Sequence, residues 1–502
     1  MKHISNITRI LLLVLSLVMI LSAFAACKDN NTVDTDTEEE TEGETTDPRY
    51  DADGYLKDAI PDGLNFKDEF IVLAAGTQKQ HFWAEEIDTT PIGKAIYERN
   101  LTVEERLGIE FNWVFQNCYE QADQATFQSM VENDVLGAHE YDTVISYNLL
   151  PYTMANKGYC VNLANTKYID LEAPWWPQVF LDHMLYKNQI FTLVNASGKG
   201  TIENLSAIFF NNELIEARGL ESPYDLVANN QWTVAKMKEM IVGTYEDMNN
   251  NNTVDAYDKF GVATSTDARL SCWYFGLGVK LISRNEADEL ELNAADERVG
   301  TAIDAIVDLF STDDSCLVDT TNISTSTPYA MFAEERAVFY LSVVQLAEYL
   351  VYADLEIDYG IAPIPKLDAE QDRYYTHLPN THDAWYIPIT ARNIDCSSAV
   401  IECMASEAYR QVEPVYYDTN LKQRYAPDER LADMYDLVRD SITFDFNYIF
   451  RFVFTKDCDT WIRNCIREPL KYKWSSSWQN LKDAVEYDLQ KIVNTYDMRV
   501  TD

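Results

Sequence analysis

Three adjoining segments set the architecture: EFIVLAA (69–75), IGKAIYERNLTVEERLG (92–108) and IEFNWVF (109–115). The first is an unbroken apolar run of strand length. In the second, Ile96, Val103 and Leu107 form one helical stripe, and Gly108 interrupts it where a left-handed C-cap is expected. The third alternates Ile109, Phe111, Trp113 and Phe115, the period of a strand. A further polar helical segment leads to YDTVISY (141–147), a third strand. Strand and helix in this alternation predict a mostly parallel sheet with helices on both faces. Ligands of such sheets bind beyond the carboxyl ends of the strands, so the loops starting at Gly76 and Ser146 are the first candidates.

A second α/β set opens near Ser206. SAIFFNNELIEARGL reads as strand, turn, helix and stop, and Thr233 is a natural N-cap for the helix in NQWTVAKMKEMI. DYGIAPIPKL (358–367) and DAWYIPIT (383–390) read as strands, and from Ser397 onward the pattern is mostly helical. No repeat of solenoid period is present. A chain of 502 residues, 47% of them hydrophobic, exceeds one ordinary core and predicts two lobes.

The net charge of −42 argues against nucleic acid, whose phosphates attract Lys and Arg, and against adsorption to anionic lipid. The N-terminus reads as targeting sequence. Lys2, His3 and Arg9 precede an apolar run, Ile10 to Leu21, too short for a spanning helix, and FAAC ends at Cys27. Small residues before a lone cysteine resemble a bacterial lipobox, which implies cleavage before Cys27 and a diacylated thiol as membrane anchor. An ordinary signal peptide or an uncleaved anchor is the other reading. The acidic segment that follows, to about residue 58, has too few apolar residues to order itself and reads as a spacer. Eight cysteines remain and allow 105 pairings. On one helix, Cys458 and Cys465 would stand roughly 10 Å apart along the axis, too far to bridge. No C-x-x-C pair suggests zinc or redox chemistry.

The lipobox and acidic spacer, AIYERNLTVEERLGIEF, YDTVISYNLLPYTMANKGYCVNL, SAIFFNNELI, QWTVAKMKEM and DYGIAPIPK, in this order, resemble the extracellular solute-binding lipoproteins of bacterial ABC importers, most closely the sugar-type group. The resemblance implies the two-lobed type II periplasmic-binding-protein architecture, with hinge strands and additional C-terminal helices. It implies crossovers near Ile202–Ser206 and Glu356–Ile361. It divides the chain into a signal peptide (1–26), a tether (27–58), a first lobe (59–202 plus 359–395) and a second lobe (203–358 plus 396–502). It further implies a lipid-anchored monomer on the outer face of the cell membrane. Such a receptor binds a carbohydrate, leaves it chemically unchanged and passes it to a permease.

The polar stretch DMNNNNTVDAYD (247–258) carries Asp247, Asn249, Asn251, Thr253, Asp255 and Asp258 at positions 1, 3, 5, 7, 9 and 12 of an EF-hand-like loop. Thr253 would offer its carbonyl. Asn252 replaces the usual glycine at position 6 and tolerates the left-handed conformation needed there. Asp258 is shorter than the usual glutamate. The expectation is a structural calcium ion; the alternative is a solvated Asn-rich loop.

A carbohydrate offers apolar ring faces and hydroxyls, which suit aromatic platforms and planar polar groups. Candidates on cleft-facing loops are Gln78 and Trp83 after the first strand, and Tyr147 and Asn148 after the third. Glu203 and Asn204 stand at a crossover, Trp273 and Tyr274 in RLSCWYFGLG, Ser342 and Gln345 after AVFYL, and His382 and Asp383 before AWYIPIT. Each could instead be a core residue. Trp175 and Trp176 in APWWPQ read as a structural plug. SGKGT (197–201) fails the phosphate-loop pattern, and neither G-x-S-x-G nor H-E-x-x-H occurs. No catalytic residue is assigned. A glycoside hydrolase or lyase, or a receptor for a peptide or other solute, stays the competing reading.

Overall fold

The computed structural model describes residues 47–499 apart from 266–267, 320–325, 354, 356 and 427. The apolar N-terminal run and Cys27 lie outside the described residues. Residues from Asp51 onward form one compact unit. Its strands are, along the chain, β1 (Asp68–Ala75), β2 (Ile109–Gln116), β3 (Thr143–Tyr147), β4 (Leu193–Val194), β5 (Ser206–Asn211) and β6 (Phe260–Ser265). There follow β7 (Ile282–Arg284), β8 (Leu290–Leu292), β9 (Cys316–Asp319), β10 (Ala337–Val343), β11 (Tyr359–Ala362), β12 (Thr376–His377), β13 (Asp383–Tyr386) and β14 (Ile442–Thr443).

Two five-stranded sheets result, ordered β2-β1-β3-β13-β4 and β11-β5-β10-β6-β9. The expected strand–helix alternation holds. β1 pairs parallel with β2 and with β3, and the helix Pro91–Leu107 links the first two. Gly108 ends that helix at φ 63°, as a left-handed C-cap should. Val72, Leu73 and Ala74 are buried because helices cover both faces of the sheet. In the second sheet β10 pairs parallel with β6 and antiparallel with β5. Thr233 caps its helix by accepting from Lys236 N at 3.2 Å.

Several boundaries differ from expectation. Asp58, placed in the spacer, has its side chain enclosed and takes a bidentate pair from Arg106 at 2.7 and 2.8 Å, so the folded body starts earlier. The strand Tyr359–Ala362, assigned to the first lobe, pairs antiparallel with β5 and stays in the second sheet. The return crossing therefore runs through 363–382. The C-terminal helices do not all belong to the second lobe. Ile394–Glu407 follows β13 directly and packs against Pro91–Leu107, on the first sheet. Glu429–Asp440 packs on β11, and Cys458–Arg467 on Glu297–Phe310, beside the second sheet.

The last helix, Trp474–Arg499, touches both halves. Near its start, Trp474 Nε1 donates to Ala294 O at 2.9 Å. Near its end, Tyr496 O accepts from Gln189 Nε2 at 2.8 Å, and the Arg499 guanidinium lies 4.3 Å over the Phe191 ring. All eight described cysteines are free, including Cys458 and Cys465 on their shared helix. Trp175 and Trp176 are buried, as a plug requires. Among the described residues no helix is long and apolar enough to cross a membrane.

Candidate functional site

The carboxyl ends of β1, β2, β3, β6 and β10 deliver the residues that line the space between the two sheets, the position this topology favours. After β1 the chain turns through the 3-10 helix Gly76–His81, which carries Gln78 and His81 inward. His81 is the centre of a buried charged knot. Its Nδ1 donates to Asp383 Oδ1 at 3.0 Å and its Nε2 donates to Glu203 Oε1. Lys199 Nζ stands 3.2 Å from the other Glu203 oxygen. Ser197 Oγ and Trp385 Nε1 donate to Asp383 at 3.1 and 2.7 Å.

Burial alone would drive the imidazole neutral, but Glu203 and Asp383 outweigh it and hold the His81 pKa at about 9. Burial likewise opposes ionisation of Glu203, yet His81 and Lys199 hold it at about 2. Asp383 is also held below its ordinary value against burial, mainly by its hydrogen bond with His81. Gly200 makes the knot possible. A Cβ there would sit 2.0 Å from Asp383 Oδ1 and 2.6 Å from His81 Nδ1. The knot joins β13 and the β1 loop of the first sheet to the first crossover. SGKGT thus supplies Ser197, Lys199 and Gly200 to the knot.

Two cavities open beside it. One of about 330 Å³ is walled by Gln80, Trp83 and Asp88 from the first half and by Gln345, Glu348 and Tyr349 from the second. Tyr349 OH donates to Gln345 Oε1 at 2.8 Å. Trp83 is half-buried, edge-on to Phe115 at 5.6 Å, with Lys79 Nζ 5.0 Å over its ring. The other cavity, about 160 Å³, lies among Tyr119, Tyr147, Arg269, Asn380 and Thr381, again drawn from both halves. Tyr119 and Tyr147 meet edge to face at 6.1 Å.

Of the residues expected to bind, Trp83, Tyr147 and Gln345 line these cavities. Glu203 and Asp383 belong to the knot, where both carboxylates are already engaged. Gln78 Nε2 donates to Thr381 O, and Thr381 Oγ1 donates to Asn204 Oδ1, so Gln78 and Asn204 tie the two crossings together. Asn148 and His382 are buried next to each other through Asn148 N and His382 O at 3.2 Å. Burial pushes the His382 imidazole down to about 4. Ser342 lies within β10 opposite Ala207.

Trp273 and Tyr274 are corrections. Both are fully buried in the helix Arg269–Gly276. Trp273 packs edge-on to Phe310 at 5.4 Å, and Tyr274 OH donates to Asp459 at 2.7 Å. Asp459 is itself clamped by Arg451 and Arg463, each at 2.8 Å. An aromatic pair inside an apolar helix serves the core here.

The Asn-rich loop lies on the second half. Asn252 adopts φ 58°, the left-handed geometry expected at position 6. Asp247 accepts from Asn252 N at 2.8 Å, Asn251 Oδ1 accepts from Thr253 N at 2.7 Å, and Asp255 accepts from Asn251 Nδ2 at 2.8 Å. Asp258 departs from expectation. It is buried and accepts from Tyr245 OH, Met248 N and Asp255 N, so it bolts the loop base.

No family model and no curated protein matches this chain by sequence. Solved structures do match by shape. The sugar-binding protein MalE from Xanthomonas citri aligns over 86% of this chain and 99% of its own, at 11% identity and TM-score 0.57. UspC from M. tuberculosis aligns over 84% and 100%, at 13% identity and TM-score 0.54. The GacH receptor of Streptomyces glaucescens, solved unliganded and with acarbose, aligns over 84% and 99%, at 14% identity and TM-score 0.51. The chain has this two-lobed binding-protein fold. Within it, sequence reasoning missed His81, Lys199 and Glu348. A lone histidine in QKQHFW carries no spacing signal, and its partners lie more than a hundred residues away.

Proposed function

We propose that the protein is the solute-binding receptor of an ABC importer. It captures a carbohydrate, by preference an oligosaccharide, between its halves and releases it unchanged to a membrane permease. The observation that carries this reading is the roughly 330 Å³ cavity walled by both halves, with an indole (Trp83) beside amide and carboxylate groups (Gln80, Asp88, Gln345, Glu348). Indole rings accept the apolar face of a sugar, and planar polar groups accept and donate to its hydroxyls. A solute held by both walls favours the closed arrangement by its differential affinity. In the knot beside the cavity, Glu203 and Asp383 are paired with His81 and Lys199, so neither stands free as an acid or base.

A thermal-shift screen of purified protein against a glycan panel, followed by scattering with the best ligand, tests the reading. A raised melting temperature, a smaller radius of gyration and no new reducing ends are expected. Tight binding without compaction, or product, refutes it.

The same reading has the chain act as a monomer on the outer face of the membrane, cleaved and diacylated at Cys27. Metabolic labelling with palmitate checks this: a Cys27→Ser variant should lose the label. We further propose that Asp247, Asn249, Asn251, Asp255 and the Thr253 carbonyl hold a structural Ca2+, supported by the left-handed Asn252. Calorimetric titration with calcium after chelation should give heat and a higher melting temperature; neither would end this idea.

A further inference from the structure

The second half carries another opening, remote in sequence from the crossings. The helices Glu297–Phe310 and Trp474–Arg499 diverge to leave a groove of about 580 Å³, larger than either cavity between the halves. Its floor is apolar. Trp474 and Trp478, one helical turn apart, stack at 6.1 Å with 25° between planes, and both line the groove while retaining 8% and 6% exposure.

Its walls are polar by helical register. Glu297, Thr301 and Asp304 recur at spacings of three and four on one helix, and Gln479 and Lys482 on the other. Gly300 stands among them, and a Cβ there would meet nothing within 4 Å. Two amphipathic helices would ordinarily fill such a gap with longer side chains; here glycine leaves it open. At Asp296, the residue before the first helix, the groove adjoins a second hollow of about 430 Å³ lined by Lys280, Asn293, Gln371, Asp372 and Tyr375. Asp296 borders both, so the two openings lie next to one another as a polar trough, with Tyr375 in one and the two indoles in the other.

An apolar ring floor flanked by carboxylate, amide and hydroxyl groups is chemistry for a chain of hydroxylated rings. We propose that this trough is a second carbohydrate site, on the outer face of the second half, which holds a segment of a glycan too long to be enclosed between the halves. The choice of a glycan rests on the function proposed above, but the trough stands on different residues from the cavity between the halves.

The test uses the full mature chain and isothermal titration with four linear probes: maltohexaose, cellohexaose, xylohexaose and mannohexaose. Gly300→Met fills the trough from a position with free space and improves helix propensity, so its melting temperature should hold or rise. Asp304→Ala removes an exposed wall carboxylate without touching the core. Trp83→Ala weakens the other site. The expected result is that at least one hexaose binds the Trp83→Ala protein, and that adding Gly300→Met or Asp304→Ala weakens that binding at least tenfold. If no hexaose binds the Trp83→Ala protein, or if binding is indifferent to both trough substitutions, the inference is overturned. It is likewise overturned if spermine binds the trough and the hexaoses do not, since the wall carboxylates would then be serving a cation. Failure of the cleft reading would show separately, as wild-type binding that Trp83→Ala leaves unchanged.

Discussion

Replacing His81 by glutamine should flatten part of the pH dependence of stability. In the folded protein the imidazolium is held to about 9 by two carboxylates, against 6.5 for an ordinary histidine. That gap corresponds to about 3 kcal/mol, at about 1.4 kcal/mol per tenfold. Because the folded value is the higher one, the contribution is complete below pH 6.5 and disappears as pH climbs through 9. Glu203, held at about 2, gives up its contribution only as pH falls towards that value, far from this window. Glu402 is different: burial raises it to about 8, so it adds its own slope to wild type and variant alike. Only the difference between the two proteins reports His81. Guanidinium unfolding midpoints of wild type and His81→Gln at pH 6.5 and pH 9.5 give that difference. The variant should be weaker at pH 6.5 by about 3–5 kcal/mol, the cost of breaking a buried ion pair, and the deficit should shrink by about 3 kcal/mol at pH 9.5. Parallel pH profiles would mean that His81 is not charged in the fold, and the account of the knot would be wrong.

Gly200→Ala should destabilise by about 2 kcal/mol or more, because the new methyl lands on Asp383 and His81; thermal melts measure it. Asp459→Ala leaves Arg451 and Arg463 buried without their shared partner and should cost about 3–5 kcal/mol, read from the same melts, with no direct contact to the cavities. Trp83→Ala should weaken glycan binding by about tenfold, near 1.4 kcal/mol, with the melting temperature of the free protein little changed; calorimetry decides.

β1 was legible because it is largely buried and reads as an apolar run, and β2, half exposed at the sheet edge, because it reads as an alternation. Residues 69–75 and 109–115 fall within one residue of β1 and β2. Which sheet a strand joins was less legible. DYGIA has the composition of any buried strand, and only its pairing with β5 assigns it. The C-terminal helices carry stripes but no address, since helix periodicity says which face is buried and not against what. At the site, Trp83 and Gln345 could be found because they follow strand ends. Trp273 could not be separated from a platform residue, because an indole in a core and one under a sugar have the same neighbours in sequence. The knot was hidden for a further reason. Its four charges come from residues 81, 199, 203 and 383, and buried polar pairing over such separations leaves no local pattern.

The helix Trp474–Arg499 is 26 residues long, about 39 Å, and is moored at one end to Ala294 and at the other to Phe191 and Gln189. A rod fastened to both jaws acts as a fulcrum. On the reading proposed above, a swing that admits a solute is restrained at the rod, so the gape would be smallest beside it and widest on the far rim. On that reading, release would begin at the rim farthest from the rod.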